Sequence, residues 1–341
     1  MRKISLAITG LGNVGRRLLE LIDRKRQILH TRFNLEFVLA GVSDSSGATI
    51  DPQGLNLSEV LNVKQQKKGI ATLSKGVAGM TLEEFVQSVQ ADILVELTLT
   101  NLKNGEPGLG AIRTALRRKM NVVTANKGPL VLAYSELAEL AKSNDVKLLH
   151  SATVTGGLPT LNIGMRDLGV ATIEKLEGIV NGTTNYILTR MAEGDSYANA
   201  LQHAQDVGNA EADPSLDVDG WDAACKLVII ANAVLRRPTT LNEVTVEGIR
   251  TITSQDLELA ASRNQVIKLI ALAERKDNDY QFSVRPTILE RSHPLANISA
   301  DMMAVIYHTD INGTIYAYSE EEDPYPTAAA VLRDIVHIAT N

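Results

Sequence analysis

The chain has 341 residues, 44% hydrophobic and 22% charged, with a net charge of −6 spread along its length. That allows two domains with a large core, and it excludes nucleic acid as the main partner, because phosphate binding needs a concentrated basic surface. The single cysteine, Cys225, excludes an intramolecular disulfide. With no signal-peptide core and no apolar run near the ~18 residues of a membrane span, it points to a cytoplasmic protein without membrane attachment.

An apolar strand pattern at 4–9 leads directly into Gly10-x-Gly12-x-x-Gly15, and an amphipathic helix pattern follows over 13–30. Strand before and helix after are the context a dinucleotide fingerprint requires. Gly10 makes the tight turn, Gly12 lets backbone approach a pyrophosphate, and Gly15 lets helix pack on strand. The phosphates belong at the helix N-terminus, beside Asn13 and Val14, where free N–H groups and the macrodipole favour anions. Further strands are expected at 37–43, 93–97, 121–124 and 146–150, and helices at 107–118 and 135–144. Residues 44–80 read as a long loop with a short helix at 57–62. This alternation gives an α/β fold, a Rossmann-type doubly wound parallel sheet, over 1–150.

From 179 the pattern turns helical, with helices at 183–193, 197–207 and 221–235. Strands follow at 266–273, 280–286, 302–307 and 314–318. Residues 151–325 therefore read as an α+β domain for substrate binding and dimerisation, whose exposed strands can pair across a two-fold axis. The last helix, within 326–341, is amphipathic and is expected to return to the first domain.

Five acids crowd 208–226. Asp222 and Lys226 lie four apart on a helix that begins near Trp221, with Asp219 or Gly220 as N-cap. They can form a simple surface ion pair or a reactive one. Lys127, in Thr124-Ala-Asn-Lys-Gly-Pro129, and Thr98 follow strands at the carboxyl edge, where ligands bind in open α/β sheets. The glycines of 151–159 can leave carbonyls free for a hard cation or make an ordinary turn. Asp44, ending the second strand, can accept from a ribose diol and favour NAD, whereas the serines beside it can accommodate a 2′-phosphate.

Gly10 to Gly15, Glu96-Leu-Thr, Thr124 to Pro129, Ala152-Thr-Val, Asn181-Gly-Thr-Thr-Asn-Tyr-Ile-Leu188, Ala210 to Val218 and Asp219-Gly-Trp-Asp-Ala-Ala-Cys-Lys226 occur in order. Together they resemble homoserine dehydrogenases over nearly the whole chain. The resemblance implies interconversion of L-aspartate 4-semialdehyde and L-homoserine with NADP or NAD, in the aspartate route to threonine and methionine. It implies Lys226 as proton donor and acceptor, Lys127 as a second active-site lysine near cofactor and substrate, and Glu211 and Asp222 as substrate-binding acids. Gly10, Gly12, Asn13, Val14, Gly15, Thr98, Lys127 and Gly208 are the implied cofactor contacts. The carbonyls of Val154, Gly156 and Leu158 are the implied site of a monovalent cation, sodium or potassium. A homodimer or homotetramer is implied as well.

Two departures stand out. Ser319 to Pro326 is acidic where the family is glycine-rich, and Ser151 replaces a common Glu. A catalytically silent or altered nucleotide-binding relative is the alternative that the acids at 320–323 suggest. A phosphorylating semialdehyde dehydrogenase would need Cys225 as nucleophile. Longer members carry a C-terminal amino-acid-binding domain beyond the matched region. With the sequence ending at Asn341, feedback inhibition through such a domain is not expected.

Overall fold

The computed structural model describes residues 1–300, 302–321 and 325–341. The chain forms two compact units. One comprises Met1–Gly157 and the C-terminal helix, and the other runs from Leu158 through the last strand.

The first unit is a seven-stranded sheet in the order β4-β3-β2-β1-β5-β6-β7. Its strands are β1 (Arg2–Thr9), β2 (Leu35–Asp44), β3 (Gly47–Ile50), β4 (Gly76–Ala78), β5 (Ile93–Glu96), β6 (Asn121–Thr124) and β7 (Leu148–Leu149). The five from β2 to β7 in that order are parallel, and β3 and β4 extend the edge antiparallel. β1 pairs with β2 on one side and β5 on the other, so the strand order reverses beside it, and this is where such sheets bind ligands. Ile4, Leu6 and Ile8 of β1 pack with Leu18, Leu19 and Ile22 of the helix Asn13–Arg24 and with Val331, Ile335 and Ile338 of the helix Pro326–Thr340.

The structure corrects several expectations here. The helix expected over 13–30 breaks at Lys25 into Asn13–Arg24 and Arg26–Phe33, where the run of core-facing residues ends and Leu29 is the one buried residue of the second piece. Residues 44–80 hold the expected helix, which runs Leu57–Gln65 and is capped by Asn56, but the rest is not a plain loop, since it also forms β3 and β4. Asp44 organises this segment, accepting from Lys64 Nζ at 2.6 Å, from Ser46 Oγ at 2.6 Å and from Ile70 N at 3.2 Å. Against the cost of burial, these bonds hold its carboxyl below the usual carboxylate range. Its oxygens are thus engaged inside the fold rather than presented to a ribose. A helix at Leu82–Ser88, marked by a Thr81/Glu84 capping box, was not expected either.

The first unit extends past residue 150 to Gly157 because the last helix grips this segment. Asp334 accepts from Ser151 N at 2.8 Å and from Ser151 Oγ at 2.6 Å, and Arg333 Nη1 donates to Gly157 O at 3.2 Å. Ser151 thus supplies two donors to a buried carboxyl.

The second unit is built on a six-stranded sheet in the order β13-β12-β8-β10-β11-β9. Its strands are β8 (Ile173–Ile179), β9 (Val244–Val246), β10 (Gln265–Lys276), β11 (Asp279–Glu290), β12 (Met302–Thr309) and β13 (Thr314–Glu320). β8, near the centre, and β9 were missed in sequence, as was the helix Ser254–Ser262. β8 carries Glu174, Lys175 and Glu177 among its apolar residues, which hides its strand pattern. The helix Trp221–Ala233 packs against β10 and β11, with Leu227, Val228, Ile229 and Ile230 all fully buried. Ile179, Ile270, Leu295, Ile298, Ala304 and Ile306 form a separate apolar cluster. Among the described residues no helix is long and apolar enough to cross a membrane.

Candidate functional site

Functional candidates of the first unit gather at the carboxyl edge of its sheet. Gly10 has φ +82, and a Cβ there would lie 2.4 Å from Leu97 O and 2.7 Å from Thr98 N. Only glycine fits this turn, because an L side chain would meet both left-handed strain and backbone atoms. Gly12 is the N-cap of Asn13–Arg24 with no side-chain cap, and a Cβ on it would meet nothing within 4 Å. Gly15 is buried and packs against Gly10 O. The uncapped helix N-terminus, exposed at Gly12 and Asn13 and flanked by Val14, therefore fits a dinucleotide pyrophosphate.

Thr98 and Lys127 belong to the same edge. Thr98 donates its N–H to Glu96 Oε1 at 2.8 Å, and its hydroxyl bonds to the same oxygen. Asn126 caps the helix Lys127–Ser143 by accepting from Gly128 N at 3.0 Å, which places Lys127 at the first helical position. Asn126 Nδ2 in turn reaches Thr98 Oγ1 at 3.3 Å. Gly10, Thr98 and Lys127 are thereby linked into one corner.

Glu211, Gly208, Asp222 and Lys226 stand in the second unit. The helix Trp221–Ala233 starts at Gly220, with φ +85, so glycine serves as its N-cap. One turn in, Lys226 Nζ lies 2.8 Å from Asp222 Oδ2 and donates to Val180 O at 2.6 Å. Asn181 completes the cluster, its Nδ2 donating to Asp222 Oδ2 at 2.8 Å and to Asp217 Oδ1 at 2.6 Å. Asn181 Oδ1 accepts from Thr184 N at 2.8 Å and caps the helix Gly182–Ala192. The pair is not a solvated surface bridge, since Lys226 and Asp222 side chains are only 13% and 14% exposed.

The five acids of this stretch separate by role. Asp213 closes its own turn with Ser215, and Asp219 pairs with Arg250. Asp217 and Asp222 converge on Asn181. Glu211 has an exposed side chain, and its carbonyl accepts from Gln205 Nε2 at 3.1 Å. Gly208, exposed with φ +82, follows the helix Tyr197–Asp206, and the neighbouring Asn209 carbonyl accepts from Thr183 Oγ1 at 2.6 Å. Asn181, Asp217, Glu96 and Asn126 were not singled out in sequence. An Asn before Gly-Thr-Thr is an N-cap signal that could have found the first of them.

Val154 is buried, Gly156 has φ +53, and Leu158 O accepts from Thr160 N at 2.8 Å. All three donors are backbone carbonyls, suited to a hard cation, although that of Leu158 is already in a hydrogen bond. Cys225 is buried mid-helix, which removes it as a nucleophile for an incoming substrate. Glu320 closes β13, and Ser319 Oγ bonds to Glu321 at 3.3 Å. Glu322 and Asp323 lie outside the described residues.

The glycine turn, the open helix end and the parallel sheet define a dinucleotide-binding protein of the Rossmann type. Residues 10–151 match the family described as homoserine dehydrogenase, NAD binding domain, and residues 159–336 match the one described as homoserine dehydrogenase. The chain is 36% identical over 336 residues to a homoserine dehydrogenase of Methanocaldococcus jannaschii, with 98% of each chain covered. It is 36% identical over 340 residues to an NAD(+)-dependent homoserine dehydrogenase of Pseudomonas canavaninivorans, covering 99% of this chain and 97% of that one. A crystal structure of homoserine dehydrogenase from Thermoplasma acidophilum matches with a TM-score of 0.85 at 28% identity, over 100% of both chains. The chain belongs to the homoserine dehydrogenase family.

The Asn181 bridge makes a prediction. Asn181→Ala removes a helix cap, costing about 1 kcal/mol, and leaves two neighbouring carboxylates without their shared amide. Urea denaturation is expected to show a larger loss of stability at low salt than at high salt, because screening relieves the repulsion. A loss independent of salt would contradict the bridging role.

Proposed function

We propose that this chain interconverts L-aspartate 4-semialdehyde and L-homoserine in the cytoplasm, in threonine and methionine biosynthesis, with Lys226 moving the proton. The observation that carries this reading is the ammonium of Lys226, held by Asp222 at 2.8 Å and Val180 O at 2.6 Å. Two of its three protons are engaged there, which leaves the third for a substrate oxygen. The coenzyme, NAD or NADP, supplies or accepts the hydride. Gly10, Gly12, Asn13, Val14, Gly15, Thr98, Lys127 and Gly208 are assigned to holding it.

As the aldehyde carbon gains a hydride, its oxygen becomes an alkoxide and takes a proton from Lys226. In the other direction, neutral Nζ removes the hydroxyl proton as hydride leaves the carbon. Asp222 fixes the lysine and, with Glu211, orients the substrate, the latter by a charge-assisted bond to the α-ammonium. Lys127 is assigned as the second active-site lysine, whose positive charge would favour a developing alkoxide. Together, Lys226, Lys127, Glu211 and Asp222 favour turnover over a silent relative. Lys226→Ala is expected to lower kcat at least ~10²-fold in the fraction that still folds, as checked by circular dichroism, and a near-normal kcat would remove Lys226 from this role.

A monovalent cation on the carbonyls of Val154, Gly156 and Leu158 belongs to the same reading. Exchanging sodium and potassium for choline in the assay is expected to lower activity. Equal rates in all three salts would discard the cation.

The family's dimer or tetramer fits the second unit's sheet. β13 is an edge strand, and Tyr316 and Tyr318 are 56% and 65% exposed beside Leu295, Ile298 and Met302. An open edge next to an apolar groove is a surface that a second copy would cover. Tyr318→Lys is expected to shift the protein toward monomer in analytical ultracentrifugation. An unchanged mass would place any interface elsewhere.

A further inference from the structure

Glu96 is fully buried at the end of β5, and the partners that act on its carboxyl among the described residues are the neutral Thr98, Thr124 and Asn126. The groups packed against it are Thr98 from its own turn, Thr124 and Asn126 from β6 and its extension, and Gly108 from the helix Gly108–Arg117. Thr9 lies opposite on β1. None of these titrates. An ionised carboxylate with only neutral partners in a dry site is costly, and the group responds by keeping its proton.

The hydrogen-bond count points the same way. Oε1 accepts from the Thr98 amide and hydroxyl. Thr124 Oγ1 lies 3.0 Å from Glu96 O and 3.1 Å from Glu96 Oε2, and it accepts from Asn126 N at 3.0 Å. A hydroxyl has one proton to give. When that proton goes to the Glu96 carbonyl, the contact with Oε2 is completed by a proton on the carboxyl. Burial, against the bonds from Thr98, Thr124 and Asn126, does hold this carboxyl above the usual range.

We propose that Glu96 is a positioning residue of the coenzyme corner and works as the neutral acid. One carboxyl group accepts from Thr98 and donates to Thr124. It thereby fixes Thr98 on one side and, through Asn126, the helix end that carries Lys127 on the other. Gly108 is part of the same fit, because a Cβ there would lie 2.6 Å from Asn126 Nδ2 and 3.1 Å from Glu96 Oε2. The inference rests on the assignment of Thr98 and Lys127 to the coenzyme site.

The test compares Glu96→Gln, Glu96→Ala and Lys127→Ala in the full chain. A glutamine offers the same acceptor toward Thr98 and the same donor toward Thr124. Glu96→Gln is expected to keep kcat and the coenzyme Kd within about threefold of wild type. Glu96→Ala is expected to lower kcat at least about tenfold and weaken coenzyme binding, with little change in the KM for homoserine. Equal impairment of the Gln and Ala variants, or none in Ala, would overturn the proposal. Should Glu96→Ala fail to fold, the infrared difference spectrum between wild type and Glu96→Gln at pH 7 decides: a protonated carboxyl band supports the neutral acid, and carboxylate bands alone overturn it. Normal coenzyme binding and kcat in Lys127→Ala would instead sink the site assignment. Impaired Lys127→Ala with unimpaired Glu96→Ala would sink only the role of Glu96.

Discussion

The ammonium of Lys226 is the constraint around which the second unit's chemistry is arranged. A cation this poorly exposed needs acceptors at fixed positions, and the fold supplies two of different origin. Asp222 comes from the same helix, one turn earlier. Val180 O comes from the end of β8, where the strand gives way to the helix Gly182–Ala192. Holding both at hydrogen-bond distance ties that helix start to the helix Trp221–Ala233. Asn181 then resolves the problem this creates: two carboxylates, Asp217 and Asp222, lie close together, and one amide serves both while its oxygen caps a helix.

The first unit follows a parallel logic with different chemistry. At its sheet edge glycine stands at positions 10 and 15, where a Cβ would meet backbone atoms. The helix end at Gly12 is left without a side-chain cap, while the neighbouring helix Lys127–Ser143 is capped by Asn126. The open end and the closed end are a few residues apart in space through Gly10, Leu97 and Thr98. Glu96 sits beneath them as a buried polar hub, and a hub of this kind is tolerable only when every donor and acceptor is matched.

Much of this was readable from the residues. The fingerprint at 10–15 announced its strand and helix because three glycines and an apolar run agree on one local geometry. The helix expected at 221–235 was legible because the unbroken apolar run Leu227–Ile230 calls for burial on every side. The rest depended on pairings that leave no local mark. β8 looks polar until β10 and β12 flank it, and β3 and β4 are too short and too rich in small residues to stand out from a loop. Asp44 matched the position of a ribose acceptor by its place after β2, yet its partners come from Lys64 and Ile70, far along the chain. The roles of Asn181 and Glu96 are likewise set by contacts with residues 28 to 41 positions away.

Everything proposed for Lys226 and the coenzyme corner requires that this chain oxidise L-homoserine. The most direct measurement is the absorbance of reduced nicotinamide when purified protein meets L-homoserine with NAD or with NADP, in parallel, in sodium or potassium salts. Turnover with at least one coenzyme is expected, with the ratio of rates giving the preference. Folded protein that binds coenzyme but shows no turnover with either would contradict that expectation.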